Sequence, residues 1–147
     1  MAIDKKGTLT YIHLQKEDLA VFRVVPEDGI IPDYEAGQFI TVGMPIPSEN
    51  NKIVRRAYSM ASHPENKKYI ELVVRWVRRP LPGRVTTALI NSGEGDEVSW
   101  IPPPGVAIKI NENLPDGSKA DRRIVCVSGG TGIAPIMSFA RQLRAKG

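Results

Sequence analysis

The sequence predicts a mainly β chain: an antiparallel barrel or sandwich, followed by one strand and one helix of a doubly wound α/β domain. Three observations predict this class. Short runs of β-branched and aromatic residues recur between residues 7 and 110, separated by turns that draw on 12 prolines and 13 glycines. The composition then becomes polar over residues 111–121. After it, a continuous apolar run at 123–128 leads into a glycine-rich turn and a helical pattern at 133–146.

Seven strands and one short helix are predicted before the polar stretch. The strands are expected at residues 7–15, 19–25, 38–44, 54–59, 69–78, 97–101 and 106–110. Alternation in the fifth strand places Glu71 and Arg75 on one face, and it places the expected core residues on the other face: Ile70, Leu72, Val74 and Trp76. The helix is predicted at residues 84–91, with Thr86 or Thr87 as the cap of its first turn.

Charge and cysteine content narrow the function classes. The net charge is +4 without a long basic run and with few aromatic residues, so nucleic acid is not an expected partner, whereas an acidic partner protein suits this charge. Cys126 is the single cysteine, which excludes an internal disulfide framework and a cysteine metal site, and we expect no metal. No membrane-length apolar run or leader is present, so we expect no membrane partner and a cytoplasmic location.

A short stretch of the fourth predicted strand combines a cation, an aromatic ring and a hydroxyl. Alternation places Arg56 and Tyr58 on one face, and Ala57 and Ser59 on the other. A guanidinium binds a phosphate through paired charge-assisted hydrogen bonds, and a tyrosine ring offers a plane for stacking. This pattern suits a dinucleotide with a flat ring system. It also suits an ordinary strand with an exposed cation.

The residues after the polar stretch follow a strand, glycine turn and helix order. Gly130, Thr131 and Gly132 lie between the apolar run and the second predicted helix, and Pro135 falls in the first turn of that helix. Glycines in such a turn allow a phosphate to approach the backbone. A tight connection without a ligand is the alternative, because the turn lacks the full dinucleotide-binding fingerprint.

Four motifs occur in a fixed order, and together they resemble the ferredoxin–NADP reductase family, which includes flavodoxin reductases and reductase components of oxygenases. The motifs are Gly37-Gln38-Phe39, Arg56-Ala57-Tyr58-Ser59, Gly93-Glu94-Gly95-Asp96-Glu97-Val98 and Gly130-Thr131-Gly132-Ile133-Ala134-Pro135. The resemblance implies a Greek-key barrel that binds FAD, over residues 1–115. It implies that residues 116–147 are a linker and the start of an NAD(P)-binding α/β domain.

The resemblance also implies roles for individual residues. Arg56 would bind the flavin pyrophosphate, Tyr58 would stack on the flavin, and Ser59 would hydrogen-bond its reactive nitrogen, so that Tyr58 and Ser59 would be catalytic. The implied cofactor-binding residues are Arg56, Ala57, Tyr58, Ser59, Val73, Val74, Arg75, Arg84, Val85, Thr86, Thr87, Gly130, Thr131 and Gly132. The sequence leaves the choice between FAD and FMN open.

The chain departs from the family at its α/β part, where roughly a hundred further residues are expected for a whole domain. We therefore expect a fragment of an oxidoreductase that uses NAD(P)H and passes electrons to a ferredoxin, flavodoxin or oxygenase partner. The fragment itself is expected to lack turnover with NAD(P)H. The alternative is a non-catalytic association module that forms a homodimer through residues 123–128.

Overall fold

The computed structural model describes residues 4–103, 107, 113–119 and 123–146. Six strands and two helices are formed by these residues. The strands are β1 (Lys5–Lys16), β2 (Leu19–Pro26), β3 (Phe39–Ile46), β4 (Lys52–Ser59), β5 (Ile70–Arg75) and β6 (Glu97–Ile101). The helices are α1 (Arg84–Ile90) and α2 (Ile133–Ala145), and 3₁₀ turns lie at Pro47–Glu49 and Gly130–Gly132.

The strands form one antiparallel sheet in the order β4-β3-β6-β1-β2-β5. β6 is inserted between β3 and β1, so strands distant in sequence become neighbours. The two edges meet just after β4, where Met60 bridges Leu72 and the Ala61 amide donates to the Glu71 carbonyl at 2.7 Å. The sheet is thereby curled into a barrel, and the predicted mainly β class with a short helical unit is confirmed.

The barrel interior is filled by alternate residues of every strand. Phe22, Leu72 and Trp100 are fully buried, and the Trp100 indole N–H donates to the Lys6 carbonyl at 3.2 Å. Helix α1 covers one opening with Val85 and Leu89, which lie four residues apart and share a face. Strand periodicity and one amphipathic helix thus close a single core.

The two threonines of α1 do not cap the helix as predicted. Gly83 occupies the cap position without a side-chain bond, and the Thr86 hydroxyl instead donates to the Gly83 carbonyl at 3.1 Å. The Thr87 hydroxyl accepts the Trp76 indole N–H at 3.0 Å. Trp76 lies beyond the end of β5 and is half-buried. The threonines therefore hold the segment after β5 against α1.

The predicted strand at 123–128 is not formed. Residues 123–129 belong to no strand of the described chain, and Val125 and Val127 are 88% and 90% exposed. A strand is stabilised by ladder bonds to a neighbour, and no described segment supplies a ladder here. Cys126, which lies in the same apolar run, is exposed as well. The strand predicted at 106–110 lies outside the described residues except for position 107.

Helix α2 forms as predicted and packs against the outside of the barrel near its closure. Ala134 is buried against Ala61 and Val73. The Ser138 hydroxyl, also buried, donates to the Ser62 carbonyl at 2.6 Å. In the described part of the chain, no helix has the length and apolar character needed to cross a membrane.

Candidate functional site

A cavity of about 580 Å³ opens where β4, β5 and the start of α1 meet. Its size falls in the range typical of small-molecule sites. The lining residues are Arg56, Ala57, Tyr58, Val73, Arg75, Val77, Gly83, Arg84, Val85, Thr86 and Thr131. Four separate segments of sequence therefore converge on one concave surface, and Thr131 brings the glycine-rich turn to it.

Nine of the sequence-predicted site residues line this cavity, and five do not. Val74 points into the barrel core and is buried there, because β5 alternates between its two faces. Thr87 faces a second cavity on the other side of α1. Ser59, Gly130 and Gly132 adjoin lining residues in sequence without lining the cavity themselves.

Two lining residues were missed by the sequence reasoning. Val77 continues the alternation of Val73 and Arg75 toward the cavity, a signal that the sequence does contain. Gly83 precedes α1, and a Cβ there would lie 2.6 Å from the Thr86 hydroxyl oxygen, so a side chain would collide with the helix start. Because Gly83 has no side chain, this part of the cavity lining stays open.

Three arginines line the cavity, and they differ in their partners. Arg75 donates from Nε to the Asp18 carboxylate at 3.0 Å, and Arg84 donates from Nη1 to the Glu49 carboxylate at 2.8 Å. Arg56 donates to the neighbouring Arg55 carbonyl at 2.8 Å, and it pairs with no carboxylate among the described residues. Arg56 is exposed, so its charge is available to an anionic ligand.

The Tyr58 hydroxyl is a polar group that the fold leaves unsatisfied. Its oxygen is buried and has no hydrogen-bond partner among the described residues. Burial raises the pKa of Tyr58 to about 12, and the positive charge of Arg56 acts in the opposite direction. The phenol keeps its proton at physiological pH, as an ordinary tyrosine does, and the raised pKa extends this neutral donor state to strongly alkaline pH. A buried hydroxyl without a partner beside a cavity is a place where a bound molecule would supply one.

A pH-dependent loss of stability should follow from the raised pKa of Tyr58. The unfolded chain releases the phenol proton near pH 10, whereas the folded chain retains it to about pH 12. This contribution to stability is complete below pH 10 and is lost as the pH rises through 12. Raising the pH from about 9 to about 11.5 should lower the free energy of unfolding of the original chain. We expect this drop to be about 1–2 kcal/mol smaller in Tyr58→Phe, which has no phenol to ionise. Urea unfolding at both pH values measures this, and equal losses would contradict it.

Comparison with known proteins identifies the family. Residues 7–107, more than half of the chain, match the family described as the oxidoreductase FAD-binding domain. The chain belongs to this family. The predictions of an FAD-binding oxidoreductase domain and of FAD as its cofactor are thereby confirmed.

Relatives of this FAD-binding domain include an electron transfer subunit and a reductase. The chain is 28% identical over 139 residues to the electron transfer subunit of dihydroorotate dehydrogenase B (NAD⁺) from Streptococcus thermophilus, covering 95% of this chain and 49% of the relative. It is 30% identical over 127 residues to phthalate dioxygenase reductase from Burkholderia cepacia, covering 83% and 33%. The chain thus spans from about a third to about half of these relatives' length.

A solved structure agrees with the fold of this FAD-binding domain. The flavohem-like FAD/NAD-binding domain of nitric oxide dioxygenase from Vibrio cholerae superposes with a TM-score of 0.80 at 22% identity. The match covers 97% of this chain and 57% of that one. At this identity the likeness concerns the fold, and it includes the described helical unit α2 as well as the barrel.

Proposed function

We propose that this chain is the FAD-binding part of a flavin-dependent oxidoreductase that passes electrons between NAD(P)H and a ferredoxin, flavodoxin or oxygenase partner. The family match supports the cofactor, and the reductase and electron-transfer relatives support the reaction class. The cavity at the start of α1 is the observation that carries the proposal, because it gathers cations, an aromatic ring and an unsatisfied hydroxyl. The domain boundary at 115/116 and a cytoplasmic location remain predictions.

The residues of the cavity fit the parts of FAD. Arg56, without a carboxylate partner in the described chain, is the best-placed cation for the pyrophosphate. The Tyr58 ring offers a plane for the isoalloxazine, and its hydroxyl can donate to a flavin or ribityl oxygen. Val73 and Val77 supply an apolar wall that excludes water from a bound ring. Thr131 supplies a hydroxyl from the glycine-rich turn.

FAD, when bound, supplies the chemistry of accepting a hydride and releasing single electrons. The chain's own work is binding, orientation and the maintenance of protonation states. Tyr58 is a neutral donor, and burial, which raises its pKa, keeps it so even at alkaline pH. The roles predicted for Ser59, Val74, Thr87, Gly130 and Gly132 remain proposals. For Val74 they are limited to the backbone, since its side chain lies in the core.

The choice of electron acceptor is the least constrained part of the proposal. Five arginines are the sequence's candidates for a positive docking face toward an acidic carrier: Arg75, Arg78, Arg79, Arg122 and Arg123. Of these, Arg75 and Arg78 are ion-paired with Asp18 and Glu17 at 3.0 and 3.6 Å. Arg122 lies outside the described residues. A positive docking face therefore has less free charge than the sequence suggests. We retain an acidic electron carrier as the proposed partner class, and absence of turnover with NAD(P)H as the expectation for this chain alone.

A flavin titration of the apo protein tests the proposed site. We expect FAD to bind with an affinity at least tenfold higher than riboflavin, because only FAD presents a pyrophosphate to the arginines. FMN, with one phosphate, should fall between them. Flavin fluorescence and visible absorbance measure all three affinities. Equal affinities would remove the arginines from the site, and no binding of any flavin would overturn the proposal.

One observation favours a second function, that of an association module. The apolar residues Ile124, Val125 and Val127 are exposed in a segment without ladder bonds to the described chain. Such a segment suits pairing with a strand supplied from elsewhere. A homodimer formed in this way remains a proposal that stands beside FAD binding and does not exclude it.

A further inference from the structure

Glu49 reaches a cation that lines the proposed flavin cavity. It ends the 3₁₀ turn Pro47–Glu49 that connects β3 to β4, and its two carboxylate oxygens lie 2.8 and 3.0 Å from Arg84 Nη1. Arg84 is the first residue of α1 and lines the cavity between α1 and the barrel wall. The connection between two strands thus pairs a negative charge with an arginine of the flavin cavity, from the side of α1 where Pro47 and Ser48 line the second cavity together with Arg84.

The turn that carries Glu49 has a defined backbone shape. Asn50 and Asn51, the next two residues, both have positive φ, at 55° and 58°. Asparagine is among the few residues that adopt this conformation readily. The Asn51 amide donates to the Ile46 carbonyl at 3.1 Å and closes the turn on β3. Glu49 therefore belongs to a turn of defined backbone shape, and its ion pair with Arg84 joins that turn to α1.

The negative charge of Glu49 opposes the binding of a pyrophosphate. Each of the two phosphate groups carries a negative charge, which Arg84 attracts and a neighbouring carboxylate repels. The carboxylate also uses one of the guanidinium nitrogens that would bind phosphate oxygens. Arg56 has no such competitor among the described residues. The cavity is thus less attractive to a pyrophosphate than its arginine content suggests.

We propose that Glu49 is an affinity-setting residue that holds Arg84 as a counter-ion and weakens the binding of pyrophosphate-bearing flavins. It acts through Arg84 and selects between flavins by their phosphate content. The inference rests on the proposed function, because it requires FAD in the cavity at the start of α1. It predicts that removal of the Glu49 charge strengthens, rather than weakens, the binding of pyrophosphate-bearing flavins.

The test compares FAD and riboflavin binding to the original chain and to Glu49→Gln at low ionic strength. We expect Glu49→Gln to bind FAD about three- to tenfold more tightly, with riboflavin affinity unchanged within twofold. The FAD gain should shrink as salt is added. In a protein that already carries Arg84→Gln, adding Glu49→Gln should give less than half of the gain in FAD binding free energy that it gives alone. The reason is that Glu49 then has no arginine to pair with.

Asp33→Asn provides the matched control. It removes one surface carboxylate from an ion pair, with Lys67 at 2.9 Å, and neither residue lines the cavity. It should leave FAD affinity within twofold. Unchanged or weaker FAD binding by Glu49→Gln would overturn the inference, as would an equal gain for riboflavin. If the original chain binds no flavin, the proposed function itself fails, which is a different result. Circular dichroism confirms that each variant is folded.

Discussion

Replacing Glu71 by glutamine is expected to lower the free energy of unfolding by about 2–3 kcal/mol. The Glu71 side chain is 4% exposed, and its two oxygens accept from Arg23 Nε at 2.9 Å and Arg141 Nη1 at 2.7 Å. Both are charge-assisted hydrogen bonds to a buried carboxylate, from guanidinium groups that are themselves partly exposed. The amide keeps the shape of the carboxylate and removes its charge, so the loss reports on the ion pairs.

The surroundings of Glu71 explain why the expected loss is large. The Arg23 guanidinium lies over the rings of Tyr11 and Tyr69, at 4.5 and 4.2 Å from their centroids, and is fixed in place by them. Arg141 also donates to the Ala61 carbonyl at 2.9 Å. One carboxylate therefore joins a strand of the barrel to helix α2, and its loss weakens both attachments.

Urea unfolding of Glu71→Gln and of Glu97→Gln measures the effect against a matched control. Glu97 pairs with Lys6 at 3.1 Å, but both side chains are more than 60% exposed. We expect that variant to lose about 0–1 kcal/mol, as is typical of exposed pairs. Hydrogen exchange in residues 133–145 should rise in Glu71→Gln alone. Equal losses for the two variants would show that the buried network adds nothing.

Replacing Arg56 by glutamine is expected to weaken FAD binding by about 10- to 100-fold. The estimate corresponds to one lost charge-assisted interaction of about 1.5–3 kcal/mol. Arg56 carries most of this expectation because its charge meets no carboxylate in the described chain, whereas Arg75 and Arg84 are already paired. Stability should change little, since Arg56 is exposed.

Arg55→Gln is the matched control for Arg56→Gln. Arg55 is the adjacent residue of β4, points to the opposite face, and pairs with Asp4 outside the cavity. Both substitutions remove one positive charge, so a general electrostatic effect would weaken FAD binding equally in both. We expect Arg55→Gln to remain within about threefold of the original affinity, measured by flavin fluorescence. Similar losses in the two variants would contradict a direct contact with Arg56.

Strand alternation and turn composition predicted most of the barrel, because its strands have one face in the core. Ile70, Leu72 and Val74 are buried as expected. The other face of the same strand was harder to interpret. Glu71 lies there and is 3% exposed, because α2 covers this face of the barrel. The sequence around Glu71 does not predict that a helix beginning more than sixty residues later packs over this face.

The site was predicted in part for similar reasons. The Arg-x-Tyr-Ser spacing and the glycine turn place Arg56, Tyr58 and Thr131, which the fold does bring to one cavity. The pairing of Arg84 with Glu49 joins residues 35 positions apart, and it depends on how a strand connection folds over α1. The exposed segment at 123–129 follows the same principle, because an apolar run becomes a strand only beside a hydrogen-bonding neighbour.

The closure of the barrel at Met60 and Leu72 has a consequence for how the domain opens. The residues that complete this seam, Ala61 and Ser62, are also the ones on which α2 rests. Separating β4 from β5 there would detach the helix and move Thr131 away from Tyr58 in the same event. The seam, the helix and the ligand cavity therefore form one cooperative unit. A molecule bound in the cavity would stabilise the closed form of the whole barrel.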